Sequence, residues 1–244
     1  MTTRLRVQGL TVARGGRTVV RGVDLEVARG EVLSLLGPNG SGRSSTILAI
    51  AGVLQSTGTI SIGDHSLTGL RPDLMRRAGV STVLENHRVL TDLTVSDNLK
   101  LAGGKRGPER TARIEHVLAT FPELEAHLGR PAGQLSGGQQ QMLALGQALA
   151  NEPKFLLIDE MSMGLAPVVV SRLLAVLRTL AERGIGILLV EQFAHLALGV
   201  SDRAAVMARG QLVFSGAAAE LRDDADLLHR LYMGAGVDEA AEGG

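Results

Sequence analysis

The sequence predicts an α/β fold with a mixed sheet, an antiparallel β region near the N-terminus and an inserted α-helical region. Two observations carry this prediction. Continuous apolar segments occur at 32–37, 155–159 and 186–190, and a helical pattern ending at Gly184 separates the last two. Strands alternating with helices are typical of βαβ units around a parallel sheet.

The remaining strand segments, at 5–10, 23–27, 59–63 and 211–216, have a different pattern. Apolar and polar residues alternate within them and glycines flank them. This alternation predicts antiparallel strands with one buried face. The continuous apolar segments, by contrast, predict parallel strands that are covered on both faces.

The segment from about 93 to 150 is polar, interrupted by Gly and Pro, and mostly helical in pattern. We therefore expect a single domain over residues 1–232, with a helical subdomain at approximately 84–150 inserted into its core. Residues 233–244 are small and acidic, and we expect them to form a flexible, disordered tail.

Composition excludes several classes of protein. The 244 residues include 25 Lys+Arg and 25 Asp+Glu, so the basic excess of a nucleic-acid-binding protein is missing. There is no cysteine, which excludes disulfides and thiolate-bound metals. The sequence has neither the apolar core of a signal peptide nor a long apolar run, so we expect a soluble protein that reaches a membrane only through a partner.

A phosphate-binding loop is predicted where the first apolar segment meets a helical pattern. Glycines allow backbone amides to turn inward around an anion, and the helix N-terminus adds its positive end. Ser44 is placed to bind Mg²⁺ and Arg43 to neutralise phosphate charge. The alternative is an ordinary glycine-rich turn, because the usual lysine is replaced by Arg43. The segment comprises Gly37, Pro38, Asn39, Gly40, Ser41, Gly42, Arg43, Ser44 and Ser45.

Two further motifs favour nucleotide chemistry. The segment 135–141 precedes a helix, so its amides and the Ser136 hydroxyl are suited to clamp a terminal phosphate. The buried strand at 155–159 ends in Asp159, followed by Glu160. Asp159 would hold Mg²⁺ through water, and Glu160 would be the general base for the attacking water.

These three motifs resemble, in order and spacing, those of the ATP-binding cassette (ABC) ATPases, and the resemblance extends over roughly 5–232. It implies a P-loop NTPase core with the mixed sheet and two subdomains described above. The segment 84–101, the signature at 135–149 and the segments 164–167 and 188–192 are similar to ATPase subunits of branched-chain amino acid importers. Urea importers share much of this pattern.

The resemblance implies a two-subunit machine that uses ATP and Mg²⁺. The phosphate loop of one subunit and the signature of the other would enclose ATP between them. Membrane permease subunits would bind the helical subdomain, an extracytoplasmic solute-binding protein would take part indirectly, and no nucleic acid would be involved. The ATPase would be cytoplasmic, on the inner face of the membrane. The signature residues are Ser136, Gly137, Gly138 and Gln139.

Departures from the family pattern cluster around the nucleotide. An arginine at position 43 is bulkier and more planar than lysine, so its fit to the loop differs. Arg14 occupies the place of an aromatic residue that stacks on adenine, and it either stacks by its flat face or is an exposed loop residue. Gln192 replaces a histidine that contacts the γ-phosphate. Glu85 replaces a glutamine that meets Mg²⁺ and the membrane subunit. Gln147 replaces a helix arginine.

Several functions remain open from the sequence. The chain is an importer ATPase, or a catalytically weakened subunit whose signature completes the site of a competent partner. A nucleotide-gated adaptor, a purely structural subunit and a small-molecule kinase are further alternatives. The signature disfavours the kinase, because a kinase does not use a second phosphate clamp presented to another subunit.

Overall fold

The computed structural model describes residues 3–84, 89–104 and 106–233. Two sheets organise this part of the chain. The first is antiparallel, with strand order β2-β1-β4-β5. Its strands are β1 (Arg4–Arg14), β2 (Arg17–Ala28), β4 (Thr57–Ile62) and β5 (His65–Ser66).

The second sheet has the order β10-β9-β3-β8-β7-β6. Its neighbouring strands are parallel except for β10, which runs antiparallel to β9. The mixed sheet predicted from the sequence is thus confirmed. Its strands are β3 (Val32–Leu36), β6 (Val80–Val83), β7 (Phe155–Asp159), β8 (Gly186–Val190), β9 (Arg203–Ala208) and β10 (Gln211–Ala217).

Helices connect these strands, and two 3₁₀ helices lie at Pro122–His127 and Ala132–Gln134. Three of the α-helices, α3 to α5, fall between β6 and β7 in the chain, in the segment where the sequence predicts helices. The α-helices are α1 (Arg43–Ile50), α2 (Pro72–Arg77), α3 (Val95–Ala102), α4 (Pro108–Thr120), α5 (Gly137–Leu149), α6 (Pro167–Glu182), α7 (Ala194–Val200), α8 (Ala218–Asp223) and α9 (Ala225–Tyr232).

The second sheet separates two hydrophobic cores. Along β7, Leu156 and Ile158 pack into one core with α5 and α6, whereas Phe155 and Leu157 pack into the other with α1 and the first sheet. Successive side chains of a strand point to opposite faces. A strand that is buried on both faces therefore consists of apolar residues without interruption, which explains the pattern seen in the sequence.

Because β3, β8 and β7 run parallel, their carboxyl ends lie at one edge of the sheet. The residues after β3, β7 and β8 are therefore neighbours, although β3 precedes the other two strands by more than 100 positions in sequence. None of the helices in the described ranges is long and apolar enough to cross a membrane.

Candidate functional site

The loop after β3 has a backbone that requires glycine. Gly37, Gly40 and Gly42 have φ of 145°, 78° and 106°. A Cβ on Gly37 would lie 2.2 Å from the Met207 carbonyl oxygen, and one on Gly42 would lie 2.6 Å from the Val19 carbonyl oxygen. Side chains are excluded at both positions, so the chain turns tightly between β3 and α1.

The N-terminus of α1 carries no side-chain cap. Its N-cap residue is Gly42, and the first intrahelical bond runs from the Thr46 amide to the Gly42 carbonyl at 2.9 Å. The amides at the start of a helix lack intrahelical acceptors, and the helix dipole makes this end positive. In addition, the buried Ser41 hydroxyl has no hydrogen-bond partner among the described residues. An anion would supply the acceptor that these donors lack.

A hydroxyl and a carboxylate that are suited to Mg²⁺ lie together beside this loop. The Ser44 hydroxyl donates to Asp159 Oδ1 at 3.2 Å, across from α1 to the end of β7. Asp159 is 4% exposed. The described residues contain no group of three or more His, Cys, Asp or Glu side chains that would hold a metal by itself. The Ser44–Asp159 pair suits Mg²⁺, which takes few protein ligands and completes its shell with water and phosphate.

The Arg43 side chain lies buried at the floor of the loop. Its guanidinium donates to the backbone carbonyl of Glu191 at 2.8 Å, and at 3.4 Å to both Asn39 Oδ1 and Glu160 Oε1. Only 5% of this side chain is exposed. The phosphate-loop cation is thus paired with the carboxylate that the sequence predicts as the general base.

Glu160 has an unusual backbone conformation. Its φ is 48°, in the left-handed region that residues other than glycine rarely adopt. Its amide donates to the Val190 carbonyl at 3.0 Å, and this bond holds the turn against the end of β8. Strained residues of this kind cluster at functional sites, where surrounding contacts maintain them.

The signature segment forms the start of α5. Ser136 Oγ accepts from the Gln139 amide at 3.3 Å, and Gln139 Oε1 accepts from the Ser136 amide at 3.0 Å, which makes a reciprocal capping box. Gln139 Nε2 also lies 2.9 Å from His127 Nε2. Ser136 and Gly137 are exposed, and within the described residues no hydrogen bond joins this segment to residues 37–45.

The other predicted site residues differ in their exposure. Arg14 is exposed at the turn between β1 and β2, opposite Arg17. Gln192 is exposed just after β8. Pro38 is partly buried, and Ser45 is buried within α1. Glu85 lies outside the described residues.

Sequence reasoning missed two residues at this site. The Glu191 carboxyl is buried and accepts a hydrogen bond from Ser162. The buried Tyr232 hydroxyl, at the end of α9, lies near Gly37 and Arg43 and has no hydrogen-bond partner among the described residues. Burial raises the pKa of Tyr232, and Gly37 and Arg43 oppose that shift. An acidic residue directly after an apolar strand could have identified Glu191 as a site residue. No sequence pattern indicates that Tyr232 lies near Gly37.

A cleft of about 520 Å³ lies beyond the C-terminal end of α1. The end of α1, α2 and β6 form one wall, and α3 and α5 form the other. Three large apolar side chains that line it, Val53, Leu90 and Leu101, are 50%, 50% and 61% exposed. Gln147 of α5 also lines the cleft, and its Nε2 donates to Asn98 Oδ1 at 3.0 Å.

Comparison with known proteins shows the family to which this chain belongs. Residues 20–163 match the ABC transporter family. The chain is 37% identical over 201 residues to the high-affinity branched-chain amino acid transport ATP-binding protein BraG of Pseudomonas aeruginosa, with 82% of this chain and 86% of BraG covered. It is 31% identical over 236 residues to the lipopolysaccharide export ATP-binding protein LptB of Escherichia coli, with 94% and 97% covered.

Solved structures agree. The chain is similar to a crystal structure of the ADP conformation of an ATP-binding cassette from an ABC transporter, with a TM-score of 0.84 and 25% identity, covering 96% of this chain and all of that one. A nucleotide-free cassette gives a TM-score of 0.83 at 26% identity, covering 93% and 97%. With the glycine loop, the Ser44–Asp159 pair and the capped signature in place, these matches identify the chain as a member of the ABC transporter family that carries the family's ATPase domain.

Proposed function

We propose that this chain binds MgATP at residues 37–45 and hydrolyses it as the ATPase subunit of an importer for branched-chain amino acids. The observation that carries the site is the anion cradle after β3. A side chain is excluded at Gly37 and at Gly42, the N-terminus of α1 has no side-chain cap, and the Ser44–Asp159 pair lies beside it. The solute is proposed from the similarity to BraG and to LivF of Archaeoglobus fulgidus.

Each predicted residue has a role in this proposal. The loop amides and Arg43 hold the phosphates, and Ser44, Asp159 and Glu85 hold Mg²⁺. Bound Mg²⁺ supplies charge neutralisation at the phosphates. Glu160 accepts the proton of the attacking water, and Gln192 contacts the terminal phosphate. Arg14 faces adenine.

The proposed site is completed by a second subunit. The exposed Ser136 and Gly137, with Gly138 and Gln139, would close over the nucleotide of the partner ATPase. Because ATP binds the closed pair more tightly than the open pair, binding drives closure and hydrolysis reverses it. This is how a chain without a membrane-spanning helix in its described ranges would move a permease.

The apolar cleft between α2 and α3 is the proposed contact with the permease. Exposed apolar patches mark interaction surfaces, and Leu90 and Leu101 lie in the segment whose sequence is similar to that of importer ATPases. The chain would then work at the cytoplasmic face of the membrane, with the solute-binding protein on the other side. The balanced charge gives no reason to propose a nucleic-acid partner.

The test is equilibrium binding of a fluorescent ATP analogue with Mg²⁺, together with phosphate release, for the full chain and its co-expressed complex. We expect saturable binding by the wild type and by Glu160→Gln, with kcat of the variant lower by roughly 100-fold or more because the base is lost. Absence of saturable binding to both chain and complex would overturn the proposal. Uptake of labelled leucine or urea by a strain lacking the gene separates the two importer classes.

A second candidate function is favoured by the ion pair between Arg43 and Glu160. The guanidinium lies 3.4 Å from the Glu160 carboxylate, so the proposed phosphate-binding cation and the proposed general base are paired with each other. In this alternative the chain is a weakened subunit of a heterodimer. Its own site turns over slowly, and its signature completes the competent site of the partner.

A further inference from the structure

Glu191 is a buried carboxyl group to which the proposed reaction assigns no role. It directly follows β8 and is 1% exposed. Carboxyl groups are rarely buried so completely unless a specific partner binds them. Its position between β8 and the predicted site residue Gln192 places it at the sheet edge that carries the nucleotide site.

Three hydrogen bonds join this short segment to the site. Ser162 Oγ donates to Glu191 Oε2 at 2.5 Å. The Arg43 guanidinium donates to the Glu191 backbone carbonyl at 2.8 Å. The Glu160 amide donates to the carbonyl of the preceding residue, Val190, at 3.0 Å. The end of β8 therefore holds both the phosphate-loop cation and the loop that carries the proposed base.

We propose that Glu191 is a positioning residue, which fixes the orientation of Glu160 and Arg43 through its hydrogen bond to Ser162 without contacting the nucleotide itself. This inference rests on the proposed function of the site.

The strain at Glu160 explains why a tether is needed. A residue other than glycine in the left-handed region is strained and persists only where its surroundings enforce it. One bond acts on the Glu160 amide itself, and Ser162 anchors the chain two residues later. Without the second anchor the loop would relax, and the Glu160 carboxylate would leave its place beside Arg43. A displacement of about 1 Å at a catalytic group can lower a rate about 100-fold.

The Glu191 carboxyl is suited to act in its uncharged form. Burial raises its pKa and the nearby Glu160 carboxylate also raises it, whereas the Ser162 hydroxyl and the backbone amides of Ser162 and Gln192 only partly oppose the shift. No described residue donates to its second oxygen, Oε1, so a negative charge there would be uncompensated. Glutamine has the same shape and keeps an oxygen that accepts from Ser162, so it should replace Glu191.

The experiment compares Glu191→Gln, Glu191→Ala, Ser162→Ala and the double alanine variant in the full chain. We expect the glutamine variant to retain most of kcat. Each alanine variant should lose about 10- to 100-fold in kcat, with KM for MgATP changed far less, because positioning and not binding is lost. The double variant should be no worse than either single variant, because both remove one interaction.

Hydrogen exchange of the nucleotide-free chain gives a readout that does not depend on catalysis. We expect faster exchange at 160–166 in Glu191→Ala and Ser162→Ala, and little change in Glu191→Gln. The matched control is Ser34→Ala, which removes an equally buried serine hydroxyl whose partner, at 2.5 Å, is Ser201. It should leave both kcat and exchange at 160–166 near the wild type.

Two results would overturn the inference: a glutamine variant as slow as the alanine variant, which would mean that the charge matters, or alanine variants with wild-type kcat and exchange. If the wild type binds no nucleotide, the proposed function fails, and the exchange data alone still decide whether Glu191 tethers the loop. If Glu191→Ala does not fold, Ser162→Ala and Glu191→Gln decide.

Discussion

Arg43 is nearly as inaccessible as the apolar core, although it is always charged. A buried guanidinium is stable only where acceptors surround it, and here a carbonyl, an amide oxygen and a carboxylate do so. A bound phosphate would have to compete with Glu160 for this cation. The residue at position 43 therefore decides how strongly Glu160 competes with a bound phosphate for the cation.

Replacing Arg43 with lysine tests whether the ion pair weakens the site. The lysine ammonium group is a compact donor on a shorter side chain. It cannot bind the Glu191 carbonyl and the Glu160 carboxylate together in the planar geometry of the guanidinium. We expect Arg43→Lys to raise kcat, by about 100-fold if the cation is misplaced in the transition state. Steady-state phosphate release at saturating MgATP measures it. A lysine variant no faster than the wild type would mean that the neighbouring groups have adapted to arginine, which contradicts the weakened-subunit alternative.

A matched control for this substitution is Arg183→Lys. Arg183 is exposed at the end of α6, away from the loop. The same chemical change there should leave kcat at the wild-type value, so a gain confined to position 43 is a property of the site.

Residue types and spacing predicted which residues belong to the candidate site, but they did not predict the contacts among those residues. Glycines before a helix and acids after an apolar strand are local patterns, and the structure brings Ser44 and Asp159 together. The acceptors of the Arg43 guanidinium at Glu160 and Glu191 lie 117 and 148 positions away. Such pairings depend on which strands are neighbours in the sheet, and that order is set by tertiary packing.

Strands and helices were predictable where their apolar residues follow a clear periodic pattern. The three continuous apolar strands occur as predicted, and α6 ends two residues before Gly184, whose φ is 91°. The strands β6 and β9 were missed. The first is only four residues long and includes Ser81 and Thr82, and the second contains alanines, which have little preference for strands. Both strands form because a neighbouring strand provides backbone hydrogen-bond partners. The sequence of the segment itself does not reveal that neighbour.

The capping box of α5 combines a structural and a proposed functional role in Ser136. Removing the hydroxyl by Ser136→Ala should lower the free energy of unfolding by about 1 kcal/mol through loss of the cap. Under the proposed function it should also weaken nucleotide-driven pairing of subunits. Urea unfolding measures the first effect, and size-exclusion chromatography with MgATP in a Glu160→Gln background measures the second.

Thr94→Ala separates these two effects. Thr94 caps α3 in the same way, with its Oγ1 accepting from the Asp97 amide at 3.1 Å. It should cost similar stability, about 1 kcal/mol, without affecting subunit pairing. Equal loss of pairing in both variants would assign the Ser136 effect to stability alone and remove the support for a clamp.

At the scale of the whole molecule, one sheet with a core on each face fixes the site and the cleft relative to each other. The helix α1 takes part in both: its first residues belong to the proposed anion cradle, and Ala51 and Val53, just after its end, line the cleft. The helix α5 likewise begins at the signature and reaches the cleft at Gln147. Movement of either helix on nucleotide binding would therefore change the shape of the cleft.

A charge in the cleft should uncouple the chain from its permease without damaging the nucleotide site. Leu101 is 61% exposed, so Leu101→Glu adds a charge at little cost to folding. A glutamate that must be buried against an apolar partner costs several kcal/mol or is excluded from the contact. We expect the variant to bind the fluorescent ATP analogue like the wild type but to lose co-purification with co-expressed permease subunits. Met233→Glu, which charges an apolar residue of 73% exposure outside the cleft, should keep both properties. Retained co-purification by Leu101→Glu would place the permease contact elsewhere on the surface, whereas loss of nucleotide binding would show that the cleft and the cradle are not independent.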